Sequence, residues 1–214
     1  MSRLERAALI LEAAEQWKQR CLIDGGSVFT DERLWTQEYF GQLHTHFVEN
    51  PDTGTDLFEE KLRRQLEPAP PEAKRLWAEM AWLYYLIVFH IKRVTKLDRI
   101  RTVWEWSGEP LPEQHWALRD VLDAGLVTPG IAYLSQQWRE FGFIITMMHD
   151  WCSQTPDNRK LLLSDPWSFA EWIDGQKDGR PPSISPCRLV PAFSGHVRAD
   201  HVGRPQEGHH QSLP

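Results

Sequence analysis

Three cysteines in 214 residues, Cys21, Cys152 and Cys187, are an odd number with no CxxC spacing. That excludes a disulfide framework and a zinc finger as organising devices, and reduced thiols in a cytoplasm are expected. The chain also lacks a GxxxxGK[ST] loop and has no Gly followed by Lys, so the backbone cradle for nucleotide phosphates is missing. No Gly-x-Ser-x-Gly marks a nucleophile. Positive charge is not in excess: 24 Lys and Arg stand against 30 Asp and Glu, a net charge of −6, so any basic surface has to be local. Glu5, Glu12 and Glu15 run through the apolar pattern of the N-terminus, which a signal peptide would not tolerate. No segment before residue 176 alternates with period two between hairpin turns, and no repeat of 30 to 45 residues is present.

What the chain has in plenty is tryptophan. All eleven Trp lie between Trp17 and Trp172, and aromatics of that size commit the region to burial. The longest apolar run is Met80–Phe89, inside the stretch Lys74–Ile91 (KRLWAEMAWLYYLIVFHI). A helix apolar on every face has to be surrounded, by other helices or by lipid. A bilayer needs about 20 apolar residues. Glu79 interrupts one end here and His90, Lys92 and Arg93 close the other, so a buried central helix is expected and no membrane partner.

Around it the spacing predicts further helices. Residues 2–22 form one, with Ser2 and Glu5 at capping-box spacing and Leu4, Ala7, Ala8, Leu11, Ala14, Trp17 and Cys21 on one face. Asp24-Gly25-Gly26-Ser27 ends it. A second helix spans about 36–49, capped by Thr36, with Tyr39, Phe40, Leu43 and Phe47 as its stripe. Asn50-Pro51-Asp52-Thr53-Gly54 is a turn. A third helix is expected over 55–67, capped by Thr55, burying Leu57, Phe58, Leu62 and Leu66, with Glu60 and Arg64 paired at i,i+4. Pro71 fits the first turn of the central helix. Leu97, Ile100, Val103 and Trp104 mark the next helix, Pro112–Ala124 a short one, and Gly130–Gln154 a long one. The apolar interior of the last, Phe141–Met148, makes it the expected core partner of the central helix. Asp157 is the expected cap of a piece over Arg159–Leu163, and Asp165-Pro166-Trp167 opens a final one through Ile173. The expected fold is all-α, one globular domain of seven to eight helices over 1–176. Residues 177–214, with six of the fifteen Pro, four of the nine His and no Trp, are expected to be an irregular, disordered tail.

Several phrases together carry a resemblance. They are Val28-Phe29, Leu34-Trp35-Thr36, Phe47-Val48-Glu49-Asn50-Pro51-Asp52-Thr53-Gly54, Phe58–Leu66 and Ala78-Glu79, then Val103–Pro112 and Leu161–Phe169. In that order the chain, from about Ala14 to Asp174, resembles the N-terminal helical region of McrB-like AAA-family ATPases of modification-dependent restriction and phage-defence systems. The resemblance implies a non-catalytic recognition or interaction module with DNA or a defence-system protein as partner. Family members carry a nucleotide-binding AAA module after this region and work with a nuclease. The phosphate loop of that module is missing here, so no cofactor and no enzymatic activity of this chain is expected. A frame shift near codon 176–182 would account for the change of composition. The other readings are an enzyme with a pocket between helices, and a decayed gene product without function of its own.

The one local basic run is His90–Arg101, where Lys92, Arg93, Lys96, Arg99 and Arg101 stand with one acid, Asp98. Such a run can hold nucleic-acid phosphates by counterion release; otherwise it is a solvated helix start. His44 and His46 point about 200° apart on a helix and cannot share an ion. His149, Asp150 and Cys152 lack a matching second pair of ligands, so no metal site is expected. Cys152 one turn from His149 lacks an orienting third group. Glu38, Glu49, Glu59 and Glu60 read as solvated surface.

Overall fold

Several helix starts in this protein are set by side chains that satisfy free backbone N–H groups. In the computed structural model, which describes residues 1–129, 133 and 135–175, every assigned element is helical apart from one isolated β-bridge. The helices are α1 (Arg3–Trp17), α2 (Gln37–Leu43), α3 (Phe58–Leu66), α4 (Pro71–Leu86), α5 (Arg93–Glu105), α6 (Asp120–Ala124), α7 (Gln137–Ser153), α8 (Pro156–Ser164) and α9 (Pro166–Asp174). The fold is all-α, and none of these helices is long and apolar enough to cross a membrane. The expected tail, 177–214, lies outside the described residues, as do most of the residues expected to start the helix at Gly130.

The caps follow the sequence closely. Ser2 and Glu5 form the capping box, Thr36 accepts from Tyr39 N at 3.4 Å, and Asp165 accepts from Trp167 N and Ser168 N. Pro71, Pro156 and Pro166 each open a helix, where the missing N–H costs nothing. Two starts differ from expectation. Thr55 stays in the turn, and α3 begins at Phe58 with the Glu60 carboxylate accepting from Leu57 N at 3.3 Å. Leu57 is therefore exposed instead of buried. Arg64 turns to Asp52 and Asp56, 2.8 Å from each, and not to Glu60. At the other site Thr155 is the cap and Asp157 only joins the first turn.

α1 continues into a π-helical turn, Lys18–Ile23, and α2 into another, His44–Val48. The buried face of α1 is Ile10, Ala13, Ala14 and Trp17, whereas Leu4 and Leu11 are exposed. Its expected stripe holds from Ala14 onward and fails before it.

α4 is buried on every face from Leu76 to Leu86, as its composition requires. It ends at Leu86, short of the expected Ile91, because the backbone finds other partners. Phe89 N donates to Val127 O at 2.8 Å, and Leu126 N and Val127 N both donate to Ile87 O. Gly125 permits this approach: its φ is +34°, and a Cβ there would lie 2.4 Å from Phe89 Cα. The expected helix over Pro112–Ala124 is split at Arg119 into a 3₁₀ turn, Trp116–Leu118, and α6. α5 packs along α4, and α2 packs against both α4 and α7. The expected core pair, α4 and α7, thus meets mainly through rings: Trp77 and Tyr84 lie 4.7 and 5.1 Å from Phe141.

Indole N–H groups tie the layers. Trp82 donates to Ala117 O at 2.8 Å and Trp151 to Leu22 O at 3.1 Å. Glu79, which breaks the apolar run in sequence, is fully buried and gathers the connector after α1. Its carboxylate accepts from the Ser27 hydroxyl, from Val28 N at 2.9 Å, from Phe29 N at 3.2 Å and from Trp35 Nε1 at 2.6 Å. Burial raises its pKa, and these four donors pull the other way.

Candidate interaction surface at the α4–α5 corner

The basic run begins where α4 stops, so its side chains emerge at a corner and not along a continued helix. Lys92 is the N-terminal flanking residue of α5 and is exposed, as is His90. Arg93 is half-buried and spends its Nε on Leu118 O at 3.0 Å. Arg99 donates to the Tyr85 hydroxyl at 2.9 Å, with its guanidinium 5.6 Å from the Tyr85 ring centre. Arg101 is paired with Glu113 at 2.7 Å and with Asp98 at 3.3 Å.

Lys96 corrects the sequence reading outright. It is completely buried, and its ammonium donates to Val88 O at 2.5 Å and Leu122 O at 2.7 Å. Those carbonyls belong to the residues just after α4 and near the end of α6, where free acceptors and negative dipole ends accumulate. Burial pushes its pKa down to about 8, with Asp123 acting in the opposite sense. A side chain so placed locks two chain ends together and cannot reach a phosphate. Of five expected phosphate ligands, Lys92 alone has its charge at the surface with no partner among the described hydrogen bonds and ion pairs.

What the corner does present is mixed. Phe89 is 50% exposed and Val94 68% exposed, flanking His90 and Lys92. Arg6 of α1 lies over the Phe89 ring, 4.6 Å from its centre, a cation–π contact that keeps the ring at the surface. Sequence reasoning had no access to this pairing, because Arg6 and Phe89 belong to distant segments. The exposure of Phe89 was equally hidden within an apolar run.

The remaining candidates fall elsewhere. Cys152 is half-buried, its thiol 3.6 Å from Trp35 O, and burial raises its pKa to about 12. That is far from an activated thiolate. His149 turns toward α2, where its ring stacks against His44 with centroids 5.8 Å apart. His44 Nδ1 lies 3.5 Å from Glu49 and His149 Nδ1 3.9 Å from Asp150. Among the described residues no three His, Cys, Asp or Glu side chains group around a common point.

No protein family, no curated protein and no solved structure matches the chain.

Proposed function

We propose that this chain is a non-catalytic recognition module, of the kind its resemblance to the N-terminal region of McrB-like ATPases implies, and that its partner is a protein. The observation that supports the reading is the composition of the α4–α5 corner. Exposed Phe89 and Val94 stand beside Lys92 with Arg6 stacked on the aromatic ring. Aromatic and arginine side chains at a surface are the groups that carry most energy in protein–protein contacts. Lys96 is withdrawn onto buried carbonyls, Arg93 and Arg99 each donate once to a group of the fold, and Arg101 is paired with the surface carboxylates of Asp98 and Glu113; this weighs against duplex DNA, since binding through phosphates needs several free cations.

The test is a titration with two arms. In one, the purified chain is mixed with an AAA-type motor or nuclease of the McrB-like kind, taken from its own genome if one is encoded there; in the other, with labelled duplex DNA across a salt series. Saturable protein binding, weakened at least tenfold in Phe89→Ser and in Lys92→Glu, is expected. Salt-sensitive DNA binding with neither protein arm responding would replace this reading by the nucleic-acid one. The chain alone is expected to hydrolyse neither ATP nor GTP, and turnover that persists through purification would contradict it.

A further inference from the structure

The sign of charge at the α4–α5 corner is opposite to that of the molecule. The chain carries a net charge of −6, yet the cations beside exposed Phe89 and Val94 are not neutralised. Arg6 lies over the Phe89 ring and donates from Nη1 to Met1 O at 3.1 Å. Lys92 is exposed, and Arg93 spends its Nε on Leu118 O. None of the three has a carboxylate partner among the described ion pairs. Acids from the same segments are turned elsewhere: Glu5 accepts from Ser2 N at 2.6 Å, and Asp98 pairs with Arg101 at 3.3 Å. The charge of Asp123 acts on buried Lys96.

The backbone adds to this. Each of the other described α-helices starts with a capping side chain or an acid in its first turn, and α5 has neither. Thr95 N and Lys96 N bond back to Lys92 O at 3.0 and 3.1 Å, while Arg93 N and Val94 N have no acceptor among the described hydrogen bonds. A helix start carries the positive end of its dipole, and here Lys92 and Arg93 add like charge to it. The arrangement is unfavourable for the chain alone and is relieved by a carboxylate brought from outside.

We propose, on the reading of this corner as a protein-binding surface, that it docks an acidic segment of the partner protein. An aliphatic side chain of that segment packs on Phe89 and Val94. Its flanking carboxylates meet Lys92, Arg6 and the first turn of α5. The apolar contact supplies burial, and the opposite charges set register and steer the encounter. Duplex DNA offers the charge without the aliphatic anchor.

The experiment follows backbone amide resonances of the full-length chain during titration with a short synthetic peptide in which two leucines are flanked by glutamates. Saturable shifts centred on Phe89, Lys92 and Val94 are expected, weakening severalfold between low salt and about 0.3 M. Phe89→Ser is expected to weaken binding at least threefold, as is replacing the leucines by serine. Lys92→Glu is expected to reverse the preference, so that a peptide with lysines in place of the glutamates binds better than the acidic one. Equal shifts from free glutamate or from duplex DNA at matched charge, or no reversal in Lys92→Glu, would overturn the proposal. Should a motor or nuclease bind through Phe89 and Lys92 while the acidic peptide moves no amide, the acidic partner alone is refuted. Should both substitutions leave motor or nuclease binding unchanged, the reading of the corner falls with it.

Discussion

Replacing Glu140 with Gln is expected to stabilise this protein at pH 8 and leave it nearly unchanged at pH 5. Glu140 sits in the first turn of α7, 3% exposed, with its Oε2 buried and without a hydrogen-bond partner. Burial raises its pKa from 4.5 to about 7, opposed by the neighbouring Arg139 guanidinium, and the charge of Glu140 in turn raises the pKa of the Tyr84 phenol on α4. Because the folded value lies above the unfolded one, the native state holds the proton more tightly between pH 4.5 and 7. Stability from this group is complete below about 4.5 and is lost as pH rises to about 7. At about 1.4 kcal/mol per unit, the ionised form costs up to roughly 3 kcal/mol. Gln keeps the shape and cannot ionise, so that cost disappears. The assay is urea unfolding of both proteins from pH 5 to 8, comparing differences so that other titrating groups cancel. His115, for example, has a lowered pKa from burial and from Arg20, and changes stability in the opposite direction on both chains. A gap of about 2–3 kcal/mol opening in favour of Gln with rising pH is expected. Parallel pH profiles, or a less stable Gln variant at pH 8, would refute the reasoning.

Glu79→Ala strands three buried donors, those of Ser27, Val28 and Trp35, while Phe29 N keeps the Ser27 hydroxyl at 3.0 Å, and should cost at least about 3 kcal/mol in urea unfolding; a loss under about 1 kcal/mol would show the connector to be held otherwise. Gly125→Ala should cost far more than Gly108→Ala, although both have positive φ, because only at Gly125 does a Cβ meet backbone, at 2.4 Å. Equal midpoint shifts from the two would mean that backbone strain, and not collision with Phe89, is what Gly125 relieves. For Lys96 the folded pKa, about 8, lies below the unfolded 10.5, so the unfolded chain binds the extra proton between these values and stability gained from this group rises with pH. Lys96→Met should remove that rise between pH 8 and 9.5, read as the slope of the unfolding midpoint; an unchanged slope would place the titration elsewhere.

The parts of the sequence that proved legible are those whose physics is local. Ser2 with Glu5, Thr36 and Asp165 cap helices because each meets a backbone N–H two or three residues away. The apolar run of α4 is buried because no face of it tolerates water. Where reading failed, a partner from another segment had intervened. α4 stops at Leu86 because residues 126–127 take its following backbone groups, and Thr55 loses its cap because Arg64 draws Asp52 and Asp56 into the turn. The candidate surface was legible only as a count of basic residues. The count cannot distinguish exposed Lys92 from Lys96, which is withdrawn onto two carbonyls.

By itself, then, the sequence determined an all-α protein whose fourth helix is buried on every face over Leu76–Leu86, since periodicity, caps and prolines act within a few residues. Only the tertiary structure decided what the polar residues do. Glu79 meets Trp35 44 positions away and Trp151 meets Leu22 across 129, while His44 and His149 come together from separate helices. Such pairings depend on how helices pack, and packing depends on every apolar face at once, which no local window contains.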